Sequence, residues 1–286
     1  MKKLSVSKLL VLAIITFCGC KKNDDGGTKP ETPAYLPLST VLTSEDGNQQ
    51  EAVPYDSLSY NPDNTPAELF LEYNGYSHTW HDRIQFFYND HKQCTSARWY
   101  EFDDFYELDS LVYGANKITV FELRADDHEL RDSTVISFNS DNQVALLGSK
   151  DTVYEDNNGK QLSYTEFTYS GGNPVKVHKH KYNNYAGDPG NVTIEEYTFT
   201  YDNHPNAYLS LFSQNPYLMA IMQENVGGIV SLGKNNLTSF SRKDEEGDEA
   251  GLNYTNAYDA EGKLATQKAT EDQHTYTIQH NYIKAK

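Results

Sequence analysis

Short runs in which every second residue is apolar recur along the chain. They comprise Leu69, Leu71 and Tyr73; Ile84, Phe86 and Tyr88; Ile118 and Val120; Thr134, Ile136 and Phe138; Tyr197, Phe199 and Tyr201; and Tyr276, Ile278 and Tyr282. A period of two is typical of a β-strand that buries one of its faces. The pattern therefore predicts a mainly β protein.

The segments between several of these runs share one arrangement. An aromatic residue is followed by a polar stretch rich in Asn, Asp and Gly, and then by an apolar residue six positions on, as in 138–144, 169–175 and 258–264. Asn, Asp and Gly tolerate the positive φ angles of tight turns. We therefore expect a large antiparallel meander sheet of hairpins, in which the aromatic residue meets the apolar residue across each hairpin.

One segment departs from the β pattern. Residues 206–226 are rich in Leu, Phe, Ile and Met, contain Pro216, and precede Gly227 and Gly228. This composition predicts a short helical insert of one or two helices near 206–226. Because its apolar residues are too many for a solvated loop, we expect the insert to cover an open face of the sheet.

The N-terminus has the pattern of an export signal. Lys2, Lys3 and Lys8 precede an apolar run over 9–15, which is too short to span a bilayer. The sequence Phe17-Cys18-Gly19-Cys20 that follows resembles the lipobox of bacterial lipoproteins. The resemblance implies a signal peptide over 1–19, cleavage before Cys20 and lipidation of Cys20; the alternative is an ordinary signal peptide with incidental cysteines.

The residues after Cys20 predict a tether and a location. Residues 20–34 are polar and rich in Gly and Pro, which indicates a flexible tether before a β-rich domain over 35–286. Lys21-Lys22-Asn23-Asp24-Asp25 is similar to the export signal of Bacteroidota surface lipoproteins. It implies lipid anchoring in the outer membrane at the cell surface, and the periplasmic face is the alternative.

Two further resemblances concern the domain itself. Residues 258–264, Tyr-Asp-Ala-Glu-Gly-Lys-Leu, match the YD-repeat pattern of large β-sheet wraps. Residues 201–208 and 232–238 resemble the middle of a Bacteroidota cell-envelope lipoprotein family of unknown function. Together these resemblances cover about residues 60 to 286. They imply a single-layer or wrapped YD-repeat-like sheet and leave the activity open.

Charge and cysteine content narrow the partners and the chemistry. The chain has 24 basic and 41 acidic residues, for a net charge of −17. Loss of three lysines with the leader leaves 21 against 41, or −20. Such a charge repels phosphate backbones, so we expect no nucleic-acid partner.

Cys94 is the cysteine that remains beside Cys18 and Cys20. We expect it to be a small buried apolar residue, since no base for a nucleophile is recognisable.

Candidate ligand-binding residues come from the aromatic content. The chain contains 22 tyrosines, and one face of a single sheet could carry some of them as a platform for the apolar faces of sugar rings. The candidates are Tyr164, Tyr182, Tyr185 and Tyr197; the alternative is that these tyrosines pair across strands. His178 and His180 share one strand face and are weak metal candidates without a recognisable third ligand.

The sequence favours a non-enzymatic envelope component of structural or ligand-capturing type. Its partners would be a membrane, through the lipid anchor, and a glycan or an envelope protein, and it would need no cofactor. None of the common local motifs for serine, metal, phosphate or dinucleotide chemistry is present. The alternative is a glycan- or peptide-acting hydrolase with an unrecognised carboxylate pair, for which Glu166, Glu195 and Glu196 are the first candidates.

Overall fold

The computed structural model describes residues 35–46, 49–74, 79–151, 154–156, 159–185, 191–224, 233–271 and 274–286. Its strands are β1 Tyr35–Asp46, β2 Gln49–Tyr60, β3 Pro66–Asn74, β4 Thr79–Tyr88, β5 Cys94–Glu101, β6 Asp104–Gly114, β7 Lys117–Arg124, β8 Leu130–Phe138, β9 Val144–Gly148, β10 Tyr154–Asp156, β11 Gly159–Ser170, β12 Asn173–Tyr185, β13 Asn191–Pro205, β14 Asn235–Asp244, β15 Glu249–Tyr258, β16 Leu264–Glu271 and β17 His274–Lys284. Two helices, α1 Tyr208–Gln214 and α2 Pro216–Glu224, lie between β13 and β14.

The strands form a closed antiparallel barrel. β1 pairs with β2 on one side and with the last strand, β17, on the other. β9 pairs with β8 and with β11, so that among the described residues sixteen strands complete the ring. The short β10 pairs with the first residues of β11. Closure leaves no free sheet edge in the ring. The predicted antiparallel succession of hairpins is confirmed, whereas the open YD-repeat-like meander sheet is wrong.

One turn type connects several of the hairpins. In the turns at 89–93, 139–143 and 259–263 the first residue is Asn or Asp, and its side-chain oxygen accepts hydrogen bonds from two backbone N–H groups of the turn. The fourth residue of each turn, Lys92, Asn142 or Gly262, has a positive φ angle. The flanking residues pair across the hairpin as predicted, for example Phe138 with Val144 and Tyr258 with Leu264.

The helical insert lies inside the barrel. Helix residues Leu211, Phe212, Leu218 and Ile221 belong to one buried apolar cluster together with inward side chains of β2 to β9 and β11 to β14. Tyr217 of α2 packs edge-on against Phe86 of β4, with 6.4 Å between the ring centroids. The predicted insert is thus confirmed over 208–224, but the face it covers is the inner face of a closed barrel.

Neither helix of the described residues is long and apolar enough to cross a membrane.

Several sequence predictions fall outside the described residues. These are the signal peptide, Cys20 and the tether. Cys94 is described, and it is fully buried on β5, where its thiol donates to the Ser96 carbonyl at 3.5 Å. Its burial agrees with the expectation of a small buried residue.

Candidate binding surface

The barrel interior contains a buried polar cluster that fixes α2 to the wall. The indole N–H of Trp99 donates to the Asp109 carboxylate at 2.7 Å, and the Tyr217 hydroxyl of α2 also donates to that carboxylate. Burial raises the pKa of Asp109 and of Tyr217. Both hydrogen bonds go to the Oδ2 atom, and the buried Oδ1 atom of Asp109 has no hydrogen-bond partner among the described residues. Because one carboxylate joins β5, β6 and α2, the cluster is an attachment point of the helical insert.

A second polar chain runs from the barrel mouth into the interior. Tyr258 at the mouth donates to Asp202, Asn256 donates to the same carboxylate at 3.0 Å, and Gln267 donates to Asn256 at 3.2 Å. Gln267 then contacts the Nε2 atom of His280 at 3.2 Å. Burial lowers the pKa of His280 to about 4, so the imidazole is neutral at ordinary pH. This chain links Tyr258 to the buried His280 beside α1, where the Nδ1 atom of His280 has no hydrogen-bond partner among the described residues.

The interior offers no activated nucleophile at the cysteine. Burial raises the pKa of Cys94 to about 12. The thiolate is the reactive form of cysteine, so the protonated, buried thiol is inert.

The outer face of β11, β12 and β13 carries a continuous strip of aromatic, apolar and charged side chains. Residues paired directly across neighbouring antiparallel strands point to the same side. The register accordingly forms three rows of outward residues, which are Glu166, His178 and Glu196; Tyr164, His180 and Ile194; and Leu162, Tyr182 and Val192. We refer to these nine residues, with the neighbouring Lys150 and Lys176, as the outer strip.

Close contacts hold the outer strip in one arrangement. The rings of Tyr164 and His180 are stacked, with centroids 4.9 Å apart and planes at 5°. The Lys150 ammonium lies 5.5 Å from the Tyr164 centroid and forms an ion pair with Glu166. At the other end, the Lys176 ammonium lies 2.8 Å from Glu196. Charged groups thus flank a central aromatic and apolar area that includes Val192, 40% exposed.

The four candidate tyrosines do not share one face. Tyr164 and Tyr182 belong to the outer strip, together with both candidate histidines. Tyr197 points to the interior, where it stacks on Phe199 and donates to Glu195 at 3.0 Å. The side chain of Tyr185 lies outside the described set. The structure therefore brings together two of the four tyrosines.

The inward position of Tyr197 has a signal in the sequence. Tyr197 has the same parity as Phe199 and Tyr201, and this alternation marks the buried face of β13. Val192, Ile194 and Lys150 were missed as candidates because they become neighbours of Tyr164 and His180 only through the strand register. Register depends on pairing between distant segments and is not visible in a single strand.

The outer strip has no cation site among the described residues. His178 and His180 point outward on one face, as their spacing predicts, and the Nδ1 atom of His178 lies 3.6 Å from Glu196. No group of three His, Cys, Asp or Glu residues in the described ranges is arranged to hold a metal ion.

The candidate carboxylates are separated by the wall or neutralised by lysines. Glu195 points inward and accepts from Arg242 at 3.3 Å, whereas Glu166 and Glu196 point outward on either side of His178. The Lys176 ammonium holds the pKa of Glu196 below its usual value. A general acid in glycoside hydrolysis needs a raised pKa. Glu196 is therefore unsuited to the role of general acid.

Comparison with known proteins gives a likeness of fold only. No protein-family model and no curated protein matches the chain. A solved porin-like protein from Bacteroides uniformis is similar in structure at a TM-score of 0.48 and 11% identity, over 88% of this chain and 99% of that one. A porin-like protein from Bacteroides vulgatus gives a TM-score of 0.41 at 11% identity, over 86% and 99%. These values carry no information about a ligand or an activity.

Proposed function

We propose that this chain is a non-enzymatic, lipid-anchored protein of the bacterial outer membrane that captures a ligand on the outer wall of a filled β-barrel. The observation that carries the proposal is the filled interior. The helical insert packs into the lumen, and Leu211 and Leu218 are no more than 1% exposed. With the lumen occupied, a ligand of appreciable size would bind on the outside of the barrel.

Lipidation of Cys20 is the proposed route of attachment. More than one acyl chain on Cys20 would give a stable anchor, because each buried methylene contributes about 0.8 kcal/mol. The basic and acidic residues at 21–25 support display at the cell surface, with the periplasmic face as the alternative. The resemblance of residues 201–208 and 232–238 to an envelope lipoprotein family supports an envelope role.

A glycan is the ligand class that fits the outer strip best. Sugars present apolar C–H faces beside hydroxyl groups, so they bind surfaces on which apolar or aromatic side chains alternate with hydrogen-bonding groups. Tyr182 and Val192 supply the apolar area, and the ion pairs of Glu166 and Glu196 supply donors and acceptors at its borders. An envelope protein with a similar mixed surface is the alternative partner.

Replacing Tyr164 or Tyr182 with alanine is expected to weaken glycan retention about tenfold, the equivalent of about 1.4 kcal/mol. The measurement is retention on an array of envelope glycans, using the mature chain with Cys20→Ala. The melting temperature should change little, since both side chains lie on the outer wall. Tyr100→Ala, which removes an outward tyrosine of β5, is the matched control and should retain binding.

Two outcomes would contradict the proposal. If no glycan is retained, or if Tyr164→Ala, Tyr182→Ala and Tyr100→Ala behave alike, the outer strip is not a glycan site. If the protein releases sugar products and Glu166→Gln abolishes that release, the protein is a hydrolase.

A further inference from the structure

The outer wall of the barrel is divided into two chemically different parts. From β13 to β17 its outward residues are mostly Thr, Ser, Asn, Gln and Lys, and they include Thr198, Thr200, Ser239, Ser241, Asn253, Thr255, Lys268, Thr270 and Gln279. We call this part the polar wall. From β3 to β8 about half of the outward residues are aromatic or aliphatic, namely Phe70, Phe87, Tyr100, Phe105, Leu108, Val112, Phe121, Leu123, Leu130 and Val135. They are interspersed with Arg83, Arg98, Glu68, Gln85, Lys117 and several Ser and Thr residues. We call this part the apolar wall.

Large side chains of the apolar wall are open to solvent. Val112 is 53% exposed, Leu130 59%, Phe70 43% and Phe105 36%. Single exposed apolar residues are common on proteins, but a contiguous set on one side of a molecule marks a contact surface. The apolar wall is therefore a candidate for contact with another phase or molecule.

Arginine is concentrated on the strands of this same wall. Of the five arginines in the chain, Arg83, Arg98, Arg124 and Arg131 lie on β4, β5, β7 and β8. Three of these four form ion pairs, Arg83 with Glu68, Arg124 with Asp126 and Arg131 with Glu107. The Arg98 guanidinium lies 5.0 Å from the Phe87 centroid and 5.7 Å from that of Phe105, and within the described part of the chain no carboxylate forms an ion pair with it. Arg83 lies 3.9 Å over the Tyr100 ring.

This combination matches the chemistry of a phospholipid surface. A guanidinium binds phosphate oxygens through several N–H groups, while apolar side chains beside it enter the boundary between headgroups and acyl chains. The chain as a whole is strongly acidic, so the wall that carries the Arg98 guanidinium, which has no carboxylate partner among the described residues, is the side that repels phosphate groups least. The polar wall excludes insertion across the hydrocarbon, since side chains such as Lys268 are costly to place there.

The length of chain before β1 allows such contact. Residues 20–34 separate the proposed lipidated cysteine from Tyr35, and fifteen residues can extend at most about 50 Å. A barrel held by that segment stays close to the membrane at a high effective concentration. A weak affinity of the apolar wall for the membrane surface is then enough for contact.

We propose that the apolar wall docks side-on against the phospholipid surface to which the chain is anchored. This inference rests on the proposed lipid anchoring, and it adds the orientation of the barrel relative to the membrane. With the apolar wall on the membrane, the chemically different remainder of the barrel, including the outer strip, stays in water.

Flotation with vesicles of phosphatidylethanolamine and phosphatidylglycerol tests the docking without the anchor. The mature chain with Cys20→Ala is expected to float with the vesicles. The triple variant Arg98→Gln, Val112→Thr, Leu130→Thr should bind at least tenfold more weakly, because it removes the free guanidinium and two exposed apolar groups. The matched control on the polar wall, Thr255→Ser with Lys268→Gln, should stay within twofold of the parent.

The outcomes separate docking from anchoring. If the Cys20→Ala chain does not float, or if the triple variant and its control bind equally, the docking inference is wrong. If sedimentation instead shows a dimer that the triple variant dissociates, the wall is an interface between two copies. Incorporation of labelled palmitate into the unaltered chain, and its loss in Cys20→Ala, reports separately on the proposed anchor.

Discussion

Replacing Leu218 with alanine is expected to lower the free energy of unfolding by about 2 to 5 kcal/mol. Leu218 is fully buried in the first turn of α2, so the substitution removes apolar contact and leaves a cavity between the insert and the wall. For a domain of this size, each 1 kcal/mol lowers the melting temperature by about 2 to 4 °C. Thermal unfolding followed by circular dichroism provides the measurement.

The matched control for this substitution is Leu209→Ala. Leu209 lies on α1 of the same insert but is 37% exposed. Its truncation removes little buried surface and should cost less than about 1 kcal/mol. Equal losses for the two variants would contradict the burial of the insert inside the barrel.

The second large effect concerns stability at acid pH and His280. The folded protein holds His280 neutral, with a pKa of about 4 against the usual 6.5, because the imidazole is buried between the wall and α1. The contribution of neutral His280 to the free energy of unfolding is therefore complete above about pH 6.5. It is lost as the pH falls toward 4, because in this range the unfolded chain binds a proton that the folded chain does not bind. A shift of this size corresponds to about 3 kcal/mol.

Denaturant unfolding at several pH values tests this expectation. The difference in stability between pH 7 and pH 4 should be about 3 kcal/mol smaller in His280→Gln than in the parent. Burial raises the pKa of Asp109 and gives the opposite trend, but Asp109 is present in both proteins and its contribution cancels. A His280→Gln curve parallel to that of the parent would contradict the buried, neutral imidazole.

The local features of the fold were predictable from the sequence, whereas closure was not. Alternation such as Ile84 and Phe86 identifies a strand and its buried face, and the Asn and Asp turns identify the hairpins, because both signals lie within a few residues. Pairing of β1 with β17 joins the two ends of the domain. An open sheet and a closed barrel with the same hairpins have the same alternation, so the pattern does not distinguish them.

The candidate surface was predictable to a similar extent. The spacing of His178 and His180 placed both on one face, and Tyr164 joins them through the pairing of β11 with β12. The inward position of Tyr197 could have been read from its alternation with Phe199. The division of the outer wall into an apolar wall, which carries Arg98, and a polar wall, which carries Lys268, could not have been predicted from the sequence. It depends on which strands become neighbours around the ring.

The central claim is that the lumen of the barrel is filled. The reactivity of the Cys94 thiol tests this claim most directly. In the mature chain with Cys20→Ala it is the one thiol, and it is fully buried on the inner face with a pKa raised to about 12. A small thiol reagent should therefore modify the native protein only as fast as it unfolds, and should modify it completely in denaturing guanidinium. Rapid modification of the native protein, at the rate of an exposed thiol, would show that the lumen is open and would contradict the filled barrel.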